Sequence, residues 1–115
     1  MNERKKPLTI KENHLFSKLY AKGAVYKSDS VVVYILKKNN MLQTKYGITV
    51  SKKRGKAVIR NRMRRKIREA FRLLYPSIGK GYLIVVVARQ QCENNSSAEI
   101  KNELYDIFVK AALIQ

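Results

Sequence analysis

The 115-residue sequence has one cysteine, Cys92, and one histidine, His14. A lone thiol excludes an intrachain disulfide and a cysteine metal cluster, and it suits a reducing cytoplasm. Cys92 lies in a polar stretch with no histidine or lysine constellation, so nothing in the sequence activates it as a nucleophile. A lone imidazole excludes paired-histidine acid–base chemistry and leaves His14 as a solvated or cleft-edge side chain. Acids are scarce: Glu3, Glu12, Asp29, Glu69, Glu93, Glu99, Glu103 and Asp106 are the full set. Of these, Glu99, Glu103 and Asp106 share one helical face, where a self-sufficient two-metal nuclease would find its carboxylates. On an amphipathic terminal helix the same spacing is simply the solvent side. No run of about 18 apolar residues exists to span a membrane, and no apolar signal region follows the first charges. Gly79-Lys80-Gly81 is too short for a phosphate loop and reads as a turn.

What the chain has instead is positive charge. Its 25 Lys and Arg stand against 8 Asp and Glu, a net charge of +17. A field of that size selects a polyanion as partner, and without a membrane segment the polyanion is nucleic acid. Hydrophobic residues make up 45% of the chain, enough for a packed core. Residues 1–115 are expected to form a single nucleic-acid-binding domain, monomeric on its own, in which residues 1–8 are a mobile basic lead-in.

Periodicity divides the chain into elements. Thr9 and Glu12 have capping-box spacing for a first helix, whose apolar positions are Leu15, Phe16, Leu19 and Tyr20 and whose terminator is Gly23. Tyr26 falls in the connection that follows. Ser30–Lys37 is β-branched and aromatic, and reads as a strand. Lys38-Asn39-Asn40 turns the chain into a second strand from Thr44 to Ser51. Tyr46, Ile48 and Val50 take one face of it, and Gly47, Thr49 and Ser51 the other. A basic loop over 52–56 leads into a long helix from Ala57 to Leu74, stopped at Tyr75-Pro76. Tyr82–Ala88 is apolar throughout, as in a strand covered on both faces. Ser96 and Glu99 then cap a last helix with Ile100, Leu104, Ile107, Phe108 and Ala111 as its buried stripe. The fold class is α+β, a small sandwich with helices packed on one sheet.

The long helix carries the strongest functional signal. Residues 51–72 hold 11 Lys or Arg and one acid, Glu69. At about 100° per residue, Ile59, Met63, Ile67, Ala70 and Leu74 form one stripe with Phe71 at its edge. Asn61, Arg65, Arg68 and Arg72 cluster opposite, flanked by Arg62 and Arg64. Arg60 and Lys66 lie beside the apolar stripe and must snorkel outward. Like charges at i,i+3 and i,i+4 without counterions cost stability until a polyanion arrives. Guanidinium forks pair the oxygens of phosphates. A face neutralising about six phosphates gives log affinity a slope of roughly −4 to −5 against log salt.

The ordered residues Ser51-Lys52-Lys53, Gly55, Ala57-Val58, Arg60-Asn61-Arg62, Arg64-Arg65 and Arg68-Glu69 resemble the signature segment of the bacterial ribonuclease P protein. Arg64, where family members often have Lys, keeps the charge. The resemblance implies the order α-β-β-β-α-β-α, a two-layer body around a central mixed sheet, and a left-handed βαβ crossover through the basic helix. It implies that a catalytic RNA performs the hydrolysis with Mg²⁺ at its own active site, the protein holding no cofactor and no catalytic centre. In that reading Lys52, Lys53, Arg54, Lys56, Arg60, Asn61, Arg62, Arg64, Arg65, Arg68 and Arg72 bind the catalytic RNA, with Arg4-Lys5-Lys6 as a further contact. A cleft between the first helix and the sheet takes the 5′ leader of precursor tRNA. Its aromatics match Phe16, Tyr20 and Tyr34, with charge from Lys11, Lys45 and Lys52 or Lys53 and with Ser30 and Val32 on the flanking sheet surface. Single-stranded RNA is commonly held in this way, by rings that stack on splayed bases while basic groups hold the backbone.

Each ring also has a packing role to weigh. Phe16 fits a core stripe, whereas a buried Tyr20 or Tyr34 has to find a partner for its phenol. Tyr46 and Tyr82 read as structural or rim residues. The rival functions are a structural ribosomal or RNA-chaperone protein, which shares the charge, and the metal nuclease built on Glu99, Glu103 and Asp106.

Overall fold

The computed structural model describes residues 7–38 and 40–114. Residues 1–6, with Arg4, Lys5 and Lys6, and Asn39 of the expected turn lie outside them. In chain order the elements are β1 (Leu8–Thr9), α1 (Asn13–Lys22), β2 (Ala24–Lys27), β3 (Val31–Lys37), β4 (Lys45–Thr49), α2 (Ala57–Leu74), β5 (Tyr82–Ala88) and α3 (Ser97–Lys110). The described strands form one mixed sheet in the order β1-β4-β5-β3-β2. β1, β4 and β5 run parallel, while β3 is antiparallel to both β5 and β2. Neighbouring β4 and β5 are therefore joined by the α2 crossover.

The central strand β5 explains the two cores. Its alternate residues Ile84, Val86 and Ala88 face α2 and α3, where they meet Val31, Val33, Met63, Ile67, Phe71, Leu104 and Phe108. Leu83 and Val85 point the other way, to Leu19 of α1 and to Ile10. Sheet, α2 and α3 make the two-layer body, and the shorter α1 lies across the opposite face. Phe71, at the edge of the apolar stripe on the helical wheel, is fully buried in the larger core. Its ring stacks on Tyr46 at 4.1 Å with 8° between planes, and meets Phe108 edge-on at 6.0 Å.

Local chemistry accounts for most boundaries. The Ser96 hydroxyl accepts from the Glu99 N–H and the Glu99 carboxylate accepts from the Ser96 N–H, a complete capping box for α3. At the end of α1, a Cβ on Gly23 would lie 2.7 Å from the Leu19 carbonyl oxygen, so the helix closes against the sheet only with glycine. Where the sequence suggests a box at Thr9 and Glu12, the structure has none. Thr9 is spent in β1, paired beside Tyr46, and Glu12 is the N-cap residue without a side-chain capping bond. Backbone pairing with β4 outweighs one cap. Leu8 thus belongs to the sheet rather than to a mobile lead-in, and Tyr26 lies in β2 rather than in a connection.

Four polar expectations also change. Ser30 is fully buried, away from the open sheet surface. Its N–H and hydroxyl donate to the Glu103 carboxylate at 2.8 Å each, and the Ser28 hydroxyl donates to the same group. Glu103 is therefore a partly buried clamp between the β2–β3 turn and α3, not a solvent-side acid. Lys66 does not reach for water: its ammonium donates to the carbonyls of Cys92, Glu93 and Asn95 at 3.2, 2.9 and 2.8 Å. It fastens the short helical turn Gln90–Glu93 to α2. Cys92, within that turn, is completely buried, and burial pushes its thiol up to about 11.

Candidate RNA interface

Strand register assembles the first surface. Cross-strand partners point to the same side of a sheet, so Gly47, Val85, Tyr34 and Val25 form one row on the α1 face. Thr49, Val87, Val32 and Lys27 form the next. α1 stands over part of this floor. Its Phe16 ring covers Gly47 so closely that a Cβ there would lie 2.8 Å from two ring carbons. One turn later, Tyr20 meets Tyr34 edge to face, with centroids 4.9 Å apart and planes at 87°. The Tyr20 hydroxyl pairs with the Thr49 hydroxyl at 3.3 Å, tying α1 to β4. Tyr20 remains 43% exposed and Val25 49%, so the rings and the adjoining valine floor are open to a ligand rather than consumed by packing.

Phe16, Tyr20 and Tyr34 are thus brought together, and Val32 shares their face; Ser30 does not. Lys11 is exposed in the turn between β1 and α1. Lys45 starts β4, at the opposite end of that strand from Thr49, and its ammonium lies near Glu12. The Glu12 carboxyl is held low first by its own backbone N–H and then by Lys45. Lys45 also lines a groove with Leu15, Lys38, Met41 and Leu42. The Lys38 ammonium in turn draws the adjacent Lys18 low. This groove, of about 590 Å³, and a neighbouring one of about 330 Å³ beside Leu8 and Ile78 are walled by a mixture of aliphatic and polar side chains. They offer no open ring pair and lie away from Tyr20 and Thr49.

The second surface is the outer face of α2. Asn61, Arg62, Arg65, Arg68 and Arg72 are exposed. Arg64 donates to the Asn61 side-chain carbonyl at 3.2 Å, and Arg60 to the Gly55 carbonyl at 3.1 Å, which fixes the direction of both forks. Lys52, Lys53 and Arg54 form a helical turn capped by the Ser51 hydroxyl, and Lys56 is the N-cap residue of α2. Among the described residues Arg72–Glu69, at 2.8 Å, is the sole ion pair. Both its members are half-exposed, so solvent screens the pair and it adds little to stability. The other guanidiniums of this face have no acidic partner among the described residues.

The two surfaces meet at the sheet edge. Arg64 and Arg68 of α2 join Thr9, Ile10, Phe16 and Ile48 around a groove of about 200 Å³. Arg68 lines this groove together with Tyr46, at the sheet edge rather than on the far side of the helix. Burial pushes the Tyr46 phenol up, and the Arg68 guanidinium pulls it back. A helical wheel drawn from sequence puts Arg68 opposite the core and cannot reveal this. The roles of Gly47, Thr49, Val25 and Lys27 in the floor were equally hidden, because they depend on register across four strands. The period-two pattern of Gly47 and Thr49 was the one available signal.

Comparison with known proteins follows the same lines. A family model described as Ribonuclease P matches residues 5–112. The ribonuclease P protein component of Symbiobacterium thermophilum is 38% identical over 111 residues, covering 96% of both chains. The solved RNase P protein of Staphylococcus aureus superposes with a TM-score of 0.82 at 34% identity, covering 96% of this chain and 100% of that one. The RNase P protein of Thermotoga maritima gives a TM-score of 0.72 at 27% identity, over 90% and 94% of the two chains. The chain belongs to the ribonuclease P protein family, the protein component of an endoribonuclease that acts on tRNA precursors.

Proposed function

We propose that this protein grips the 5′ leader of precursor tRNA in the cleft under α1 while the outer face of α2 and the 52–56 turn hold the catalytic RNA. The exposed Tyr20–Tyr34 pair carries the leader assignment. Two rings at 87° leave faces on which unpaired bases stack, whereas a fully packed pair has none to offer. Phe16 completes the platform, and Lys11 and Lys45 supply charge to the wider rim of α1. On α2, Arg60, Asn61, Arg62, Arg64, Arg65, Arg68 and Arg72, with Lys52, Lys53, Arg54 and Lys56, screen the repulsion between two RNAs. Hydrolysis belongs to the RNA subunit and its Mg²⁺ ions. On the protein, Glu103 is already committed to Ser28 and Ser30, which weighs against a carboxylate centre with Glu99 and Asp106. Among the described residues no helix is long and apolar enough to cross a membrane, which fits action in the cytoplasm.

Reconstitution tests this reading. Protein combined with the catalytic RNA of its own organism should cleave precursor tRNA at the mature 5′ end at low Mg²⁺, and protein alone should not cleave. Cleavage by the protein alone would restore the metal-nuclease reading. A protein that binds many RNAs without stimulating the catalytic RNA would favour a structural or chaperone role.

A further inference from the structure

The loop between β3 and β4 presents an apolar side chain that neither RNA surface uses. Both ends of this loop are pinned to the turn before β5. The Lys38 N–H donates to the Gly81 carbonyl at 2.7 Å, and the Thr44 hydroxyl donates to the Gly79 carbonyl at 2.6 Å. Gly81, at a φ of +84°, permits the close approach, since a Cβ there would lie 3.1 Å from the Lys38 carbonyl oxygen. Between the pinned ends Leu42 is 85% exposed, more than any other large apolar side chain among the described residues. It borders both the larger and the neighbouring groove, with Leu15 and Met41 on one side and Leu8 and Ile78 on the other. A leucine held in water at the crest of further aliphatic groups marks a contact surface, unlike an apolar residue scattered singly.

The charge around this crest differs in kind from that of α2. Lys38 and Lys45 line the larger groove and Lys80 the neighbouring one, and no carboxylate lines either. Lys18 adjoins Lys38, so two ammoniums stand side by side. Glu12 lies near Lys45, yet none of these lysines forms an ion pair among the described residues. The outer face of α2 presents Arg62, Arg65, Arg68 and Arg72, whose planar forks suit the paired oxygens of single phosphates. Lysine is a hydrated point charge, which suits a broad negative surface. No open ring stands here for a base to stack on: Tyr75 is buried, and its phenol donates to the Thr44 carbonyl at 3.0 Å.

We propose that the β3–β4 loop docks this protein on an anionic membrane surface, with Leu42 entering the acyl boundary and Lys18, Lys38 and Lys80 meeting lipid phosphates. Shallow apolar insertion together with attraction to anionic lipid holds a protein reversibly at a bilayer and needs no spanning helix. The proposal stands apart from the leader reading and shares no ring with the α1 cleft.

Vesicle binding by the full-length chain tests this. Cys92 is completely buried, so Leu42→Cys takes a thiol-reactive, polarity-sensitive fluorophore at one site. Val58→Cys, at a position 66% exposed on α2, gives a second labelled protein for comparison. On vesicles of equal phosphatidylglycerol and phosphatidylcholine at physiological salt, the label at 42 should shift to the blue and be quenched by brominated acyl chains. The label at 58 should do neither, and phosphatidylcholine alone should shift neither. Without labels, Leu42→Ser should lower the partition coefficient about ten-fold or more. Lys38→Gln with Lys80→Gln should lower it about 30-fold, roughly five-fold for each lysine. Both variants should keep the wild-type Tm and affinity for the catalytic RNA. A chain of net charge +17 also adheres to anionic vesicles through charge alone. Sedimentation with the label at 42 still aqueous, or with Leu42→Ser partitioning like wild type, means such adhesion and overturns the proposal. Failure to sediment with anionic vesicles overturns it as well. A blue shift at 58 and not at 42 moves the membrane contact to α2, and a shift at 42 on adding the catalytic RNA but not vesicles makes the loop an RNA contact; either result overturns it.

Discussion

Gly47→Ala separates the shape of the cleft from the stability of the fold. An added Cβ would lie 2.8 Å from the Cε1 and Cζ atoms of Phe16, about 1 Å inside ordinary carbon contact. Gly47 is held in the sheet by its pairing with Val85 of β5, so the half-buried Phe16 ring is the part that moves. The cost to stability is small for two reasons. The ring has open space on one side, and alanine in a strand recovers roughly 0.5–1 kcal/mol of backbone entropy lost with glycine. The cost to function is larger, because tilting Phe16 by that distance removes a stacking face worth about 1–3 kcal/mol. Affinity for precursor tRNA with a leader should fall about 5- to 150-fold, with Tm within a few degrees of wild type. Fluorescence titration against labelled precursor and mature tRNA, beside a thermal melt, reads both quantities. Unchanged leader affinity in a normally folded Gly47→Ala protein would refute Phe16 as a leader platform.

The α2 face and its anchors make separable predictions. Arg62→Ala with Arg65→Ala, both exposed and outside the core, should flatten the log–log salt slope for binding the catalytic RNA by about 1.4–1.8, at unchanged Tm. An unchanged slope would mean that this face is only solvated. Lys66→Met removes three carbonyl contacts without touching that face, so it should cost about 2–3 kcal/mol of stability and leave the salt slope within error. Chemical denaturation measures the loss, and a wild-type midpoint would show the clamp to be incidental.

How far the sequence could be read depended on whether the deciding interaction was local. α2 runs from Ala57 to Leu74 as its apolar period and Tyr75-Pro76 predict, and the Ser96–Glu99 box starts α3, because both signals act within a few residues. Thr9–Glu12 offers the same local signal, yet a partner 37 residues away, Lys45 and Tyr46 against Leu8 and Thr9, decides that segment. Ser30, Lys66 and Cys92 were misplaced for a related reason. Each looks like a polar surface residue until Glu103, the 92–95 carbonyls or the larger core is brought to it by the fold. Phe16, Tyr20 and Tyr34 could be suspected from type and spacing alone. That Gly47 is the seat of the Phe16 ring, and that Thr49 bonds Tyr20, requires the register of β4 beneath α1.

The central claim is that the α1 cleft holds the leader, and Tyr34→Ala tests it most directly. Tyr34 is half-buried, so Tyr34→Phe must be measured beside it, with a thermal melt for each. Reconstituted with wild-type protein, the holoenzyme should prefer precursor tRNA with a leader of several nucleotides over mature tRNA. Tyr34→Ala should remove about 1–3 kcal/mol of that preference and leave affinity for mature tRNA unchanged, while Tyr34→Phe retains it. Equal losses for leader-bearing and leaderless tRNA, in a protein that melts normally, would contradict the cleft assignment and leave only the basic face of α2 as the RNA-binding surface.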